Sequence, residues 1–327
     1  VARYDALLLV SFGGPEGKDD VLPFLRNVVR GKNVPEERLR LVAEHYYVFD
    51  GVSPLNGETR RLLGALEVEL ADASIALPLY WGNRNWHPLL EDTMKRMASS
   101  GIRRALAFVT SAYSSYSSCR QYLEDIERAR AAAGENAPVV DKIRPFFAHP
   151  GFIEANRARL AETLDEIPLD RRGSAHLLFT AHSIPLAMAE GCDYARQLEE
   201  VRSLAAAGLP NPARIVYQSR SGPPSQPWLE PDILDVMRDL ARDGVRDVVV
   251  APIGFVSEHL EVIYDLDTQA KRLAGELGIE LFRERTVSSH PRFIRMVREL
   301  VEESLLAPPG KCAPDCCPQV IEYRHAR

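Results

Sequence analysis

Two groups of side chains in this sequence have the types and spacing for chemistry near neutral pH. The first is His182, which ends the apolar run HLLFTA in the string FTAHSIP. Neutral imidazole accepts a proton near pH 7 and binds divalent transition metals, so a histidine at a strand end is a candidate base or metal ligand. A hydrogen-bonded structural histidine is the alternative. Ser183 beside it also invites a hydrolase reading, which the missing G-x-S-x-G turn argues against. The second group lies in APIGFVSEHLEVIYDLD. If a helix begins near Ser257, then Glu258, Glu261 and Asp265 stand at i, i+3 and i+7 and project from one face within roughly 60°. Such a row suits a path for divalent cations or protons, and its alternative is a solvated acidic face favoured by the helix macrodipole. His259 falls one position off that face.

The cysteines form a third group of a different kind. Of five in the chain, Cys312, Cys316 and Cys317 crowd into the last sixteen residues. Four thiolates hold an iron–sulfur cluster or a structural zinc, and the tail offers three within six positions with a fourth to come from elsewhere; a tail with incidental cysteines is the plain alternative. An odd number spread over a long chain does not read as a disulfide framework.

The elements that must position these residues follow from hydrophobic patterning. Eight short runs rich in Val, Ile, Leu and Phe predict strands: Tyr4–Val10, Ile75–Trp81, Arg104–Thr110, Val139–Arg144, His176–Ala181, Arg214–Gln218, Asp247–Ala251 and Ile279–Arg283. Between them, segments such as Leu89–Ser100 and Ile233–Arg242 carry apolar residues at helical steps. Strands alternating with helices predict an α/β fold of two Rossmann-like lobes, each a four-stranded parallel sheet flanked by helices. The boundaries expected are 1–147 for the first lobe, 148–307 for the second and 308–327 for a Cys-rich tail. Similar turns after the first strand of each lobe, Ser11-Phe12-Gly13-Gly14-Pro15 and His182-Ser183-Ile184-Pro185, fit an internal duplication. Ligands of open parallel sheets sit beyond the strands' carboxyl ends. Gly13-Gly14 there lacks the companions of a nucleotide-binding loop.

Composition narrows the function further. Hydrophobic residues make up 46% of 327, enough for a large core. Forty basic against 46 acidic residues give a net charge of −6, which excludes a general basic field for nucleic acid or anionic membrane. No run of about 18 apolar residues is present to span a bilayer, and the first residues lack a signal-peptide layout. A cytoplasmic enzyme is expected.

The strings FTAHSIP, YQSRSGPPSQPWLEPD, PIGFVSEHLEVIYDLD, VSFGGP and GVSPLNGET resemble the signature stretches of ferrochelatases, across about residues 4–305. The resemblance implies that His182 and Glu261 face each other across a porphyrin, with ferrous iron as the metal substrate. Metalation must remove two pyrrole protons and tilt the rings toward the entering ion. His182 would take a proton or bind Fe²⁺ transiently, Glu261 would relay protons or help desolvate the metal, and Glu258 and Asp265 would extend the path. Two positions depart from some relatives: Phe12 stands where many bacterial members have Tyr, and Arg84-Asn85 where some have Lys-His. Tyr113 and Tyr116 either compensate or serve as packing walls.

The resemblance is closest to the actinobacterial branch, whose members act on coproporphyrin III, and no exposed apolar lip like that of animal members is read here. Arg30, Ser53 and Arg84 are candidate partners for propionates. Cys119 matches the position from which cluster-bearing relatives recruit a distant ligand, so Cys119, Cys312, Cys316 and Cys317 are the expected ligands of a [2Fe-2S] cluster, with Cys192 a bystander. A monomer in transient contact with neighbouring haem-pathway enzymes is the expected assembly. The rival readings are a chelatase for another metal or tetrapyrrole, and a two-lobed binding protein without catalysis.

Overall fold

A computed structural model describes residues 4–32, 34–222, 225–313 and 315–319. The first lobe holds β1 (Ala6–Ser11), β2 (Leu79–Asn83), β3 (Arg104–Val109) and β4 (Val139–Lys142), paired in the order β2-β1-β3-β4. The second holds β5 (His176–His182), β6 (Ala213–Gln218), β7 (Asp247–Ala251) and β8 (Glu280–Arg283), in the order β6-β5-β7-β8. Every pairing is parallel. The two orders are equivalent strand for strand, as a duplication requires. Every residue of β1 and β7 is buried, because helices cover both faces of a parallel sheet and leave no polar side.

The second strand starts later than its apolar run suggests. Ile75 and Leu77 pack on the core ahead of the ladder, and Pro78 has no N–H to give it. The predicted amphipathic segments are helices, at Leu90–Ser99 and Ile233–Arg242. No helix among the described residues is long and apolar enough to cross a membrane. Of the expected tail, residues 314 and 320–327 lie outside the described residues.

One core joins the sheets, running from Leu7, Leu9 and Phe108 to Phe179, Val249 and Ala251. Phe146 anchors it, with ring centroids 5.2 Å from Phe108, 5.6 Å from Phe152 and 6.0 Å from Phe293. Phe293 belongs to the helix Pro291–Leu306, which packs back on the helix Leu55–Asp72 of the first lobe. Between β1 and that helix the chain inserts α1 (Lys18–Val28) and α2 (Glu36–Tyr47). These two have a small apolar core of their own, which takes in Leu260 from the second lobe. The insertion therefore spans the space between the lobes' strand ends.

Candidate active site

In each lobe the chain steps from the first strand to one side and then crosses to the other. The carboxyl ends of β1 and β5 are thus the switch points where open α/β sheets bind ligands. His182 is the last residue of β5. Its Nδ1–H donates to the Ser183 carbonyl, and the Tyr194 hydroxyl donates to the His182 carbonyl at 3.1 Å. With the proton held on Nδ1, Nε2 carries the lone pair. That atom lies 3.8 Å from a Glu261 carboxylate oxygen, on side chains 32% and 50% exposed. The gap is too long for a hydrogen bond and both groups are reachable from solvent. Ser183 is buried and its hydroxyl donates to the Leu229 carbonyl at 2.8 Å, which ends the hydrolase reading.

The single acidic helix face expected from spacing is corrected. No helix begins at Ser257; His259 caps the short helix Leu260–Val262, and a π-helix follows over Ile263–Ala270. Glu258 precedes the first turn and points elsewhere. Its carboxylate accepts from Arg283 Nη1 at 2.8 Å and from the Thr286 N–H at 2.9 Å. Burial opposes its charge, but the Arg283 guanidinium and Thr286 outweigh it and hold the carboxyl below its ordinary value. Glu258 is a structural anion, off the row. Glu261, in the short helix, and Asp265, in the π-helix, remain on the side of His182; π-helical turns are rare and concentrated at functional sites.

Asp265 accepts from Gln218 Nε2 at 3.2 Å and from the Ser219 hydroxyl. Burial pushes its carboxyl up to about 6, against the Ser219 hydrogen bond and reinforced by the charge of Glu261. From the first lobe, the His45 ring of α2 stacks on Tyr264 with centroids 3.9 Å apart and planes within 10°. Burial lowers the His45 pKa, with Glu261 pulling it back up. His259 sets its ring edge against Phe255 at 5.0 Å, and burial lowers its pKa too.

The first lobe contributes walls more than ligands. Phe12 follows β1 and meets Phe24 edge-on at 6.2 Å. Gly13, at φ +83°, and Gly14 serve close loop packing, because a Cβ at either would lie 2.8 Å from Asn83 or 2.7 Å from Ser53. Arg84 is corrected as a propionate partner: it pairs with Asp125, both side chains 6% exposed, and lies 4.4 Å from the Tyr122 ring centroid. Its Nε is held by that buried carboxylate, and the side chain is almost wholly covered, which leaves little of it for a substrate to reach. Tyr113 is corrected as well, being a 2% exposed core residue whose hydroxyl donates to the Ile253 carbonyl at 2.8 Å across the lobes. Tyr116 donates to Glu124 at 2.9 Å, and burial together with that carboxylate pushes its phenol up to about 12. Ser53 is buried behind Gly14, while Arg30 is exposed with Nη2 on Asn27 at 2.8 Å.

The ferrochelatase family model matches residues 4–305. The chain belongs to that family. A ferrochelatase of Rhodopirellula baltica is 50% identical over 331 residues, covering 96% of this chain and 93% of its own. The coproporphyrin III ferrochelatase of Nocardia farcinica is 51% identical over 338 residues, 96% of each chain; that of Mycolicibacterium smegmatis is 50% identical over 321 residues, 96% and 94%. Among solved structures, SirB from Bacillus subtilis with Fe³⁺ aligns with a TM-score of 0.56 at 13% identity, over 93% of this chain and 98% of that one. CbiX, the terminal enzyme of sirohaem biosynthesis in denitrifying bacteria, aligns with a TM-score of 0.51 at 14% identity, over 91% and 99%. At those identities the likeness shows a shared fold.

In this ferrochelatase several site residues escaped the sequence reading. Gln218 and Ser219, which hold Asp265, and Arg283, which removes Glu258, stand at the carboxyl ends of β6 and β8, where the strand-end rule could have found them. Tyr194 and His45 reach the site through tertiary packing alone. The thiols gather in one region. Cys119, 3% exposed, sits in a second π-helix, Tyr116–Arg120, and burial pushes its thiol up; Lys142 pulls the other way, and Cys312 and Cys316 add to the rise. Cys317 is 5% exposed with its Sγ 3.7 Å from that of Cys316. Cys312 is exposed. Among the described residues, no three His, Cys, Asp or Glu side chains stand close enough to hold a metal ion. Buried thiols from lobe and tail are nonetheless the donor chemistry of an iron–sulfur cluster.

Proposed function

We propose that this ferrochelatase inserts Fe²⁺ into coproporphyrin III, in the cytoplasm, with His182 and Glu261 acting on the metal and the pyrrole protons. The observation that carries the site assignment is the 3.8 Å separation of His182 Nε2 from Glu261, at a switch point open to solvent. Insertion exchanges two N–H protons for one dication. Nε2 of His182 accepts a pyrrole proton from one side of the ring plane. Glu261 neutralises the incoming charge and passes protons to Asp265, whose carboxyl near 6 lets it take and release them close to neutrality. Phe12 and the α1–α2 insertion supply the apolar wall against which a macrocycle is held, and distortion of the ring draws on binding energy remote from the metal.

The choice of porphyrin is supported by the relatives from Nocardia farcinica and Mycolicibacterium smegmatis, both coproporphyrin III ferrochelatases. Arg30 and Ser53 are the propionate partners in this reading. Cys119, Cys312, Cys316 and Cys317 are the thiols that would hold a [2Fe-2S] cluster in this reading, although among the described residues no three of them stand together. An anaerobic assay of Fe²⁺ insertion in detergent-free buffer tests the substrate: kcat/KM is expected to be higher with coproporphyrin III than with protoporphyrin IX. Equal or better use of protoporphyrin IX would overturn that choice.

A further inference from the structure

Two neighbouring residues at the end of β6 sit in arrangements that cost stability, and both point at the same atom. Gln218 is 2% exposed and pairs in register with His182 across the parallel ladder, so the two side chains share a face of the sheet. Its Nε2 donates to Asp265 Oδ2 at 3.2 Å, and its Oε1 is buried with no hydrogen-bond partner. An ionised carboxylate only accepts, so the amide presents its nitrogen to Asp265 and leaves the oxygen without a donor. A buried acceptor left unmet is destabilising and rare in folded proteins. Ser219 follows at φ +60°, in the left-handed region that a residue with a Cβ seldom adopts. From there its hydroxyl donates to the same Oδ2.

Neither arrangement is needed to hold the sheet or the loop after it. The Gln218 carbonyl accepts from the Ser183 N–H at 2.8 Å, and the Ser221 carbonyl accepts from the Arg38 guanidinium of α2. Those acceptors are main-chain atoms, which any residue at these positions supplies. What the two side chains add is a fixed carboxylate. Both donors land on Oδ2, and Oδ1 takes no hydrogen bond from the described residues. A proton arriving at Asp265 therefore has Oδ1 as its acceptor.

We infer that Gln218 and Ser219 are positioning residues for proton transfer: they pin Asp265 through Oδ2 and reserve Oδ1 for the proton that Glu261 gives up. In that step the Glu261 O–H bond breaks and leaves a carboxylate, while an O–H bond forms at Oδ1 and makes Asp265 neutral. The inference rests on the proton path proposed above. Burial, reinforced by the charge of Glu261, favours the neutral acid at Asp265; the hydrogen bonds from Ser219 and Gln218, with the charge of His182, favour the ionised form that accepts a proton. A hydroxyl and an amide supply that bias without adding a titrating group of their own.

The test is the pH profile of kcat for anaerobic Fe²⁺ insertion, measured on the full chain and on Gln218→Met, Ser219→Gly and Asp265→Asn, with thermal denaturation as the check of fold. Methionine fills the space of the amide without a donor, and glycine suits φ +60° while removing the hydroxyl. Both variants should denature close to wild type, since each also removes a costly arrangement. Each should move the acid limb of kcat up by about one pH unit, so that the loss is largest near pH 6 and shrinks as pH rises. In an Asp265→Asn background neither substitution should move the limb. An unmoved limb in either variant, whatever its stability, would overturn the inference, and so would an equal shift in the Asp265→Asn background, which would place the effect on another group. Asp265→Asn with the wild-type profile would instead remove Asp265 from the proton path, and the inference with it.

Discussion

β1 and β5 occupy the same position in sheets of the same order, and each ends at the switch point of its lobe, yet one hands the chain to Phe12 and the other ends on His182. The neighbouring strands repeat the contrast. After β2 the first lobe places Arg84, whose charge is consumed by Asp125; at the end of β6 the second lobe places Gln218, whose amide points at Asp265 in the cleft. Equivalent backbones thus put residues at equivalent places, and function divides according to whether those residues face inward to a partner or outward to a ligand. In the proposed reading one lobe is a wall and the other carries the reactive groups. Because the two share a core through Phe146 and its neighbours, the wall is held rigidly against the chemistry.

This contrast is broken most severely by exchanging the expected consequences at matched positions. Arg84→Ala leaves Asp125 in a buried site with Arg128 as its remaining cation, so thermal denaturation should show a loss of about 3 kcal/mol, with the KM for coproporphyrin III within about twofold of wild type. A raised KM at unchanged stability would return Arg84 to substrate binding. Asp265→Asn should do the opposite, keeping the fold and lowering kcat by about tenfold, less than Glu261→Gln does. It also carries a pH signature. The Asp265 carboxyl is raised from 3.8 to about 6 in the folded protein, so the folded state binds that proton more tightly than the unfolded chain. Its contribution to stability is fully present below about pH 4 and is lost as pH rises through 6, by on the order of 2–3 kcal/mol. Denaturation of the Asn variant across pH 4–7 should lack that slope, and an identical slope would remove Asp265 from the titration.

The fold was legible because parallel strands buried on both faces announce themselves as apolar runs, and because helices such as Ile233–Arg242 keep one apolar face. That His182 and Glu261 come together was legible through the strand-end position of His182 and the strings that hold the two residues. The failures share a cause. Glu258 was placed by counting from a regular α-helix, while the chain there starts late and widens into a π-helix; its partner Arg283 lies 25 residues on. Tyr113 finds its acceptor 140 residues away, and Arg84 finds Asp125 41 residues away. Local spacing shows which side chains are near a strand end; what lies opposite them is decided by tertiary packing.

The assignment of the chemistry to the β5 end is tested most directly by His182→Ala under saturating coproporphyrin III, following porphyrin binding by fluorescence and Fe²⁺ insertion by absorbance in the same anaerobic sample. Binding within about threefold of wild type and insertion reduced about 10³-fold are expected, since the variant loses the proton acceptor and keeps the cleft. Insertion within a few-fold of wild type, with porphyrin bound, would contradict it.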